Sequence, residues 1–396
     1  MYPLTLELIT FLTGEPATRA LHDLQPRDLR ATATLERITE LRKTFTAAQA
    51  AVLLDQARLR QKASGKFPNA ASTWLVDEAL QQASSRAVSR YRAQRFAEYA
   101  CVADLGCGIG ADTLALAEVV PHVLAVELDP IRARLAELNT AAWGLSDRVY
   151  VFCADWTQLK WERGTSRVEA AFADPARRVA GRRVFRLNAM QPPIATILEL
   201  KRHMAALAVK VAPGVQNDEI PAQAEVEFIS EQGNMKEAVL WFGDLRRGVA
   251  RTATLLPEGV HLQSGAEPST PIRQPGNYIY EPDPAIIRAT LVRTLAAHLD
   301  AAQLDARIAY LTGDARIDTP FARVWRVIRH GHFHLKTLNR WLREWGAGRV
   351  IIKKRGSPID PDTFRRRLKT TPGGPEVTVF LTHVQEKPWM ILSEEA

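Results

Sequence analysis

Residues 102–112 read VADLGCGIGAD: the apolar run Val102–Leu105 leads into glycines at alternate positions, Gly106, Gly108 and Gly110, and Ala111-Asp112 open a segment of helical periodicity. Glycine admits positive φ and lets backbone pass close to a ligand, and the start of a helix favours anionic groups, so this turn is a candidate ligand cradle. The spacing alone leaves the ligand open. Gly106, Gly108 and Ala111 also satisfy a dinucleotide fingerprint of the GxGxxA kind, with Glu127 near the distance of its ribose-binding acid.

Outward from this turn, β-rich runs alternate with helical ones: HVLAVEL (122–128), IRARLAELNTAA (131–142), VYVFCAD (149–155), EAAFADP (169–175) and HMAALAVKVAPG (203–214). Alternation at this interval predicts βαβ units and a parallel sheet. EVEFIS (225–230) and KEAVLWFG (236–243) complete it, expected as an antiparallel pair at the edge. Residues 1–95 carry apolar positions at three- and four-residue spacing and read as a helical region. The sheet domain is expected over 96–256, a Pro- and Gly-rich linker over 257–276, and a small α/β module over 277–396.

The 396 residues are 46% apolar and 24% charged, the balance of a folded globular chain. No apolar run reaches the roughly 18 residues of a membrane span, and the first residues lack the basic start of a secretory signal. A cytoplasmic protein with no membrane partner is expected. Three cysteines, Cys101, Cys107 and Cys153, show no metal-like spacing, which excludes a disulfide framework and a structural zinc. The net charge of +8 is uneven: residues 316–369 hold fifteen Lys and Arg against four acids. A polyanion is the expected partner of that part.

With Asp104 two residues before Gly106, the turn closely resembles the DxGxGxG pattern of class I methyltransferases. The resemblance implies a doubly wound α/β fold and S-adenosylmethionine as cofactor. It implies that Asp104 helps position the cofactor's amino acid part, with Gly106, Cys107, Gly108 and Gly110 as the cradle. Glu127 and Asp155 end the next two strands. By the same resemblance Glu127 takes the ribose hydroxyls and Asp155 the adenine amine, with Leu128 and Trp156 flanking the base. Asp112 and Asp129 are read as helix caps and Asn139 as structural.

The fourth strand delivers Asp174-Pro175-Ala176-Arg177 to the edge where open α/β sheets bind ligands. This resembles the Asp/Asn-Pro-Pro-aromatic motif of methyltransferases acting on exocyclic amines, with Ala176 and Arg177 as departures. A guanidinium plane can also stack on a base. Methylation at C5 of uracil needs a cysteine nucleophile, and none follows Cys153. Asp174, Lys210 and Glu237 also resemble three members of the Lys-Asp-Lys-Glu set of ribose 2′-O-methyltransferases. The first lysine is missing: Lys66 is far upstream, and Arg90, Arg92 and Arg95 cannot act as bases. The catalytic candidates are therefore Asp174, Pro175, Arg177 and Lys210.

YIYEPDPAIIRA (278–289), VIIKKRG (350–356) and VTVFLTHVQEKP (377–388), taken with LGCGIGAD, DPARR and LWFG, resemble a bacterial family of class I methyltransferases that ends in a THUMP-like domain. That resemblance implies an RNA substrate, tRNA or rRNA. Lys353, Lys354, Arg355, Arg365, Arg366 and Arg367 are the candidate phosphate contacts, with Trp325, Trp341 or Trp345 either stacking or in the core. His330, His332 and His334 alternate without a Cys or Asp in register, and no metal is expected. The expected activity is methyl transfer to a base nitrogen of RNA. The alternatives are ribose 2′-O transfer, a small-molecule or protein substrate with the basic module used for subunit contacts, and RNA binding with the cofactor as a structural ligand.

Overall fold

The computed structural model describes residues 3–25, 29, 31–64, 66–67, 69–161, 168–176, 178–179, 182–183 and 186–396. The chain forms two compact units, Met1–Glu225 with Glu237–Arg247, and Val226–Lys236 with Gly248–Ala396.

The first unit opens with helices Leu6–Leu12, Glu15–Leu24, Ala31–Leu41, Ala47–Ala63, Asp77–Gln82 and Arg86–Ala93. Helix Ala47–Ala63 is buried along most of its length and packs with its neighbours into an apolar cluster that reaches Ile109 and Leu135 of the sheet region. Asn139 pins this cluster to the glycine turn. Its amide exchanges hydrogen bonds with the Trp74 backbone, at 2.6 and 3.0 Å, and donates to the Ile109 carbonyl at 2.8 Å.

Strands β1 (Cys101–Leu105), β2 (His122–Glu127), β3 (Val149–Cys153), β4 (Ala170–Ala173) and β7 (Ala206–Val211) pair in parallel in the order β7-β4-β1-β2-β3. Residues Arg178–Val179 and Arg182–Arg183 (β5 and β6) form a separate antiparallel ribbon. Strand β9 (Asn234–Gly243), which joins this unit from Glu237 on, runs antiparallel to β7. Every residue of β4 and β7 is buried, as a strand covered on both faces requires. From β1 the chain builds outward through β2 to β3 on one side, then crosses back to add β4 and β7 on the other side of β1. The switch point therefore lies at the carboxyl end of β1, where the glycine turn begins.

In the second unit β8 (Glu225–Glu231, from Val226 on) pairs in parallel with β10 (Arg251–Leu256), which pairs antiparallel with β11 (Val260–Gln263). Strand β11 falls inside the stretch read as linker. A second sheet has the order β13-β14-β12-β15-β18-β17-β16. Its strands are β12 (Tyr278–Pro282), β13 (Ala302–Asp305), β14 (Ile308–Gly313), β15 (Ala322–His332), β16 (Arg349–Lys354), β17 (Glu376–Val384) and β18 (Lys387–Glu395). All neighbours are antiparallel except β16 and β17. Side chains alternate between two cores. Ile279, Tyr310, Trp325 and Phe380 pack in one, while Val379, Leu381, Met390 and Leu392 pack in the other with Leu338 and Leu342 of helix Leu335–Trp345. Among the described residues no helix is long and apolar enough to cross a membrane.

Candidate active site

The glycine turn needs its glycines. Gly106, Gly108 and Gly110 have φ of +83°, +59° and +89°, a region that side chains with a Cβ avoid. A Cβ on Gly106 would stand 2.9 Å from the Asp174 carbonyl oxygen, whereas one on Gly108 would meet open space. The turn is thus closed against the fourth strand at Gly106 and open at Gly108. The Gly106 and Cys107 amides donate to the Val126 carbonyl at 2.9 and 3.2 Å, holding the turn to the end of β2.

Glu127, nearly buried, braces the same turn. One carboxylate oxygen accepts from the Gly108 amide at 2.8 Å and the other from the Asp129 amide at 2.9 Å. Asp129 in turn caps helix Pro130–Ala142 through the Arg132 amide. Asp155 lies exposed at the end of β3 and accepts from the Thr157 amide and hydroxyl at 2.9 and 2.7 Å. Leu128 is 68% exposed, and Trp156 is buried. Burial, with Asp104 and Glu127 adding to it, pushes the Cys107 thiol far above its ordinary range, so this cysteine is no nucleophile.

Asp104 is fully buried. Its Oδ2 accepts from the Thr113 hydroxyl at 2.5 Å, and its Oδ1 has no hydrogen-bond partner. Burial and then the Asp112 carboxylate raise its pKa to about 8.

Behind the strand ends lies a buried ionic cluster. Lys210 Nζ donates to Asp174 Oδ2 at 2.7 Å and stands 3.8 Å from Asp112 Oδ2. Arg92, from helix Arg86–Ala93, pairs with both Asp112 and Glu237 and lies 4.3 Å over the Phe172 ring. The Ser84 hydroxyl donates to Glu237 at 3.3 Å. Burial works against the charge on Lys210, but Asp174, Asp112 and Glu237 outweigh it and raise its pKa, so Lys210 is an ammonium. Pro175 is buried, and Ala176 exchanges backbone hydrogen bonds with Gln191, which pins the segment after β4. Arg177 lies outside the described residues.

The structure thus brings Asp174, Lys210 and Glu237 together and adds two residues the sequence reading did not place there, Arg92 and Asp112. The sequence makes Asp112 a helix cap, but its helix is capped at Gly110 without a side-chain bond and Asp112 pairs with Arg92 instead; Arg92, which cannot act as a base, serves as its counter-charge. The other basic residues weighed for that place go elsewhere. Lys66 donates to the Leu80 and Ala83 carbonyls, Arg90 pairs with Glu118, and Arg95 pairs with Glu225.

A model of the RNA cap guanine-N2 methyltransferase family matches residues 99–210, and a THUMP domain-like model matches residues 322–395. An uncharacterized S-adenosylmethionine-dependent methyltransferase of Mycobacterium tuberculosis (strain H37Rv) is 35% identical over 342 residues, 84% of this chain and 92% of that protein. The chain belongs to the S-adenosylmethionine-dependent methyltransferases. This methyltransferase is also 30% identical over 144 residues to ribosomal RNA small subunit methyltransferase A of Rhodococcus opacus (strain B4), a match spanning 35% of this chain and 49% of that protein. A solved structure from Porphyromonas gingivalis W83, described as a methyltransferase, superposes over the full length of both chains with a TM-score of 0.81 at 20% identity and shares the fold.

The residues of this methyltransferase fit S-adenosylmethionine. The turn is bare at Gly108, Glu127 is held beside it, and the buried Asp104 Oδ1 lacks a partner that an ammonium or a water would supply. Asp104, Gly106, Gly108, Glu127 and Asp155 would hold the cofactor.

In the second unit of the methyltransferase, Lys353 pairs with Glu281 and lies 4.7 Å over the Trp325 ring. Arg355 is 3.6 Å from the other Glu281 oxygen and 5.0 Å over Tyr310. Lys354 donates to the Ile359 carbonyl at 2.9 Å. Arg365, Arg366 and Arg367 are exposed, with Arg365 3.7 Å from Asp362. Trp325 is a core residue and Trp345 is exposed. His330 and His332 pack on Trp389, and the His334 ring accepts from the Thr337 amide at the start of helix Leu335–Trp345.

Proposed function

We propose that this methyltransferase modifies RNA at a base nitrogen, with Asp174 and the Pro175 carbonyl accepting hydrogen bonds from the target amine. The observation that carries the choice of nitrogen is the Lys210 ammonium fixed on Asp174 Oδ2 at 2.7 Å. A lysine held protonated by three carboxylates is a poor proton acceptor, whereas transfer to a ribose hydroxyl needs one. Bound S-adenosylmethionine supplies an electrophilic methyl group on a sulfonium. The protein's task is then to aim the amine lone pair and to accept a proton as nitrogen becomes cationic. Asp174, 24% exposed at its side chain, is the group placed for both. Support for RNA comes from the two matched family models, one named for guanine-N2 methylation of RNA caps and one for a THUMP-like domain, and from the partial likeness to a ribosomal RNA methyltransferase.

Ribose 2′-O transfer is the second reading, favoured by one observation: Asp174, Lys210 and Glu237 are brought together with Arg92 beside them. It requires Lys210 to give up its proton against its surroundings. The test is mass spectrometry of nucleosides from a deletion strain, followed by transfer of labelled methyl to that strain's RNA by purified protein. A missing N-methylated base restored by the protein supports the proposal. A missing 2′-O-methyl nucleoside favours the second reading, and unchanged RNA in every fraction defeats both.

A further inference from the structure

We infer that the RNA-binding surface of the second unit is a basic ridge formed by helix Leu335–Trp345 and the segment 365–369, and that Lys353 and Arg355 are not part of it. The inference rests on the RNA reading above and specifies where the phosphates lie.

The ridge is held together by Asn339. Its amide donates to the Arg367 carbonyl at 3.0 Å, its side-chain oxygen accepts from the Lys369 amide at 2.8 Å, and its own carbonyl accepts from Arg343 Nε at 3.3 Å. The first two bonds lay segment 365–369 along the flank of the helix, which carries Lys336, Arg340 and Arg343 at i, i+4 and i+7, and the third holds the Arg343 side chain along it. All three are exposed, as are Arg366, Arg367 and Lys369. Against these six cations stands Glu344, 3.9 Å from Arg340 and also bound by Arg329. Among the described residues Lys336, Arg366, Arg367 and Lys369 have no acid partner. So many exposed, unneutralised cations within one short helix and one segment repel each other, and a chain of phosphates relieves that repulsion.

Lys353 and Arg355 are spent differently. Both are half-buried over aromatic rings and share the carboxylate of Glu281, so moving either to a phosphate would strand that acid. An anionic membrane is the poorer partner for the ridge, because Leu338 and Leu342, the apolar face of the helix, are buried against the sheet and offer nothing to insert.

The test is fluorescence anisotropy of the full chain with labelled unfractionated tRNA across a salt series. Combined Lys336→Gln, Arg343→Gln, Arg366→Gln and Arg367→Gln should weaken binding at least about tenfold at low salt and flatten the slope of log affinity against log salt by about 3, near the loss of four phosphate contacts. Combined Lys353→Gln and Arg355→Gln should leave the slope unchanged. Circular dichroism and thermal unfolding, followed by the fluorescence of the second unit's buried Trp325, confirm that each variant is folded. If the wild-type chain binds tRNA and the ridge variant binds it with the same slope, or if the Lys353/Arg355 variant is the one that loses slope, the ridge is not the interface. If the wild-type chain binds no RNA even at low salt, the RNA reading itself fails, and this inference with it.

Discussion

Lys210 and Asp174 meet end to end at the carboxyl edge of the sheet, Nζ to Oδ2 at 2.7 Å, from strands that pair directly. The lysine is almost fully buried and the carboxylate is not, so the pair presents its acid outward and keeps its cation behind. Asp174→Ala should therefore leave affinity for S-adenosylhomocysteine nearly intact and lower turnover at least about a hundredfold, the scale for removing an orienting or proton-accepting group. Single-turnover transfer to RNA, the substrate proposed above, measures this. Wild-type turnover would show that the chemistry happens elsewhere.

Lys210→Arg separates the two chemistries. A guanidinium keeps the cation beside Asp174 and Asp112 but cannot take up a proton. Nitrogen transfer should survive within about tenfold, since an aligned Asp174 is all it asks of this position. Ribose transfer should be lost by about a hundredfold or more, as for removal of a general base. The methyl position, read by nuclease digestion and mass spectrometry, decides between them.

Glu127 and Asp155 should differ in weight. Glu127 is nearly buried and also holds the Gly108 amide, while Asp155 is exposed. Each change to Ala should cost about 1–3 kcal/mol of cofactor affinity, with Glu127→Ala at the upper end. Calorimetry with S-adenosylhomocysteine gives both values. Equal affinity in wild type and Glu127→Ala would remove the acid from the cofactor site.

What could be read from sequence was local. The turn from Asp104 to Gly110, and the acids that follow it at strand ends, lie within about 50 residues, and their spacing alone suffices to place them on one edge of a parallel sheet. Arg92 and Asp112 escaped because their meaning comes from contacts across the fold. Arg92 reaches Glu237 from 145 residues away, and its place one turn after Val88 on the buried side of helix Arg86–Ala93 gives no sign of that partner, whereas Arg90 faces Glu118 near the surface. The basic run at Lys353 showed its charge but not Glu281, 72 residues earlier, which opposes it. Strand β11 escaped for another reason: four residues amid Pro and Gly are too few for an alternating pattern.

Asn139 joins three segments through one buried amide, so its loss should be felt in both stability and binding. Asn139→Ala leaves the Trp74 amide and the Trp74 and Ile109 carbonyls without that partner. The expected cost is about 2–4 kcal/mol of unfolding free energy. Because Ile109 belongs to the glycine turn, cofactor affinity should fall as well. Urea denaturation with and without S-adenosylhomocysteine measures both, and a variant as stable as wild type would mean that water replaces the amide.

Asp104 gives the fold a pH dependence of defined sign. Its pKa of about 8 in the folded chain lies above the ordinary aspartate value of about 4, because burial and the neighbouring Asp112 carboxylate disfavour its charge. Between those two values the folded chain carries a proton here that the unfolded chain has released. The stability from this group is thus complete below about pH 4, declines as pH rises toward about 8 and is constant above, with a slope of at most about 1.4 kcal/mol per pH unit. Asp104→Asn is neutral in both states and removes the slope. Thermal unfolding of the two proteins from pH 5 to pH 9 should show the wild type losing ground to the variant up to about pH 8 and running parallel beyond it. Curves parallel over the whole range would mean that Asp104 is ionised in the fold, its charge balanced by Arg92, which reaches the same Asp112 from the other side.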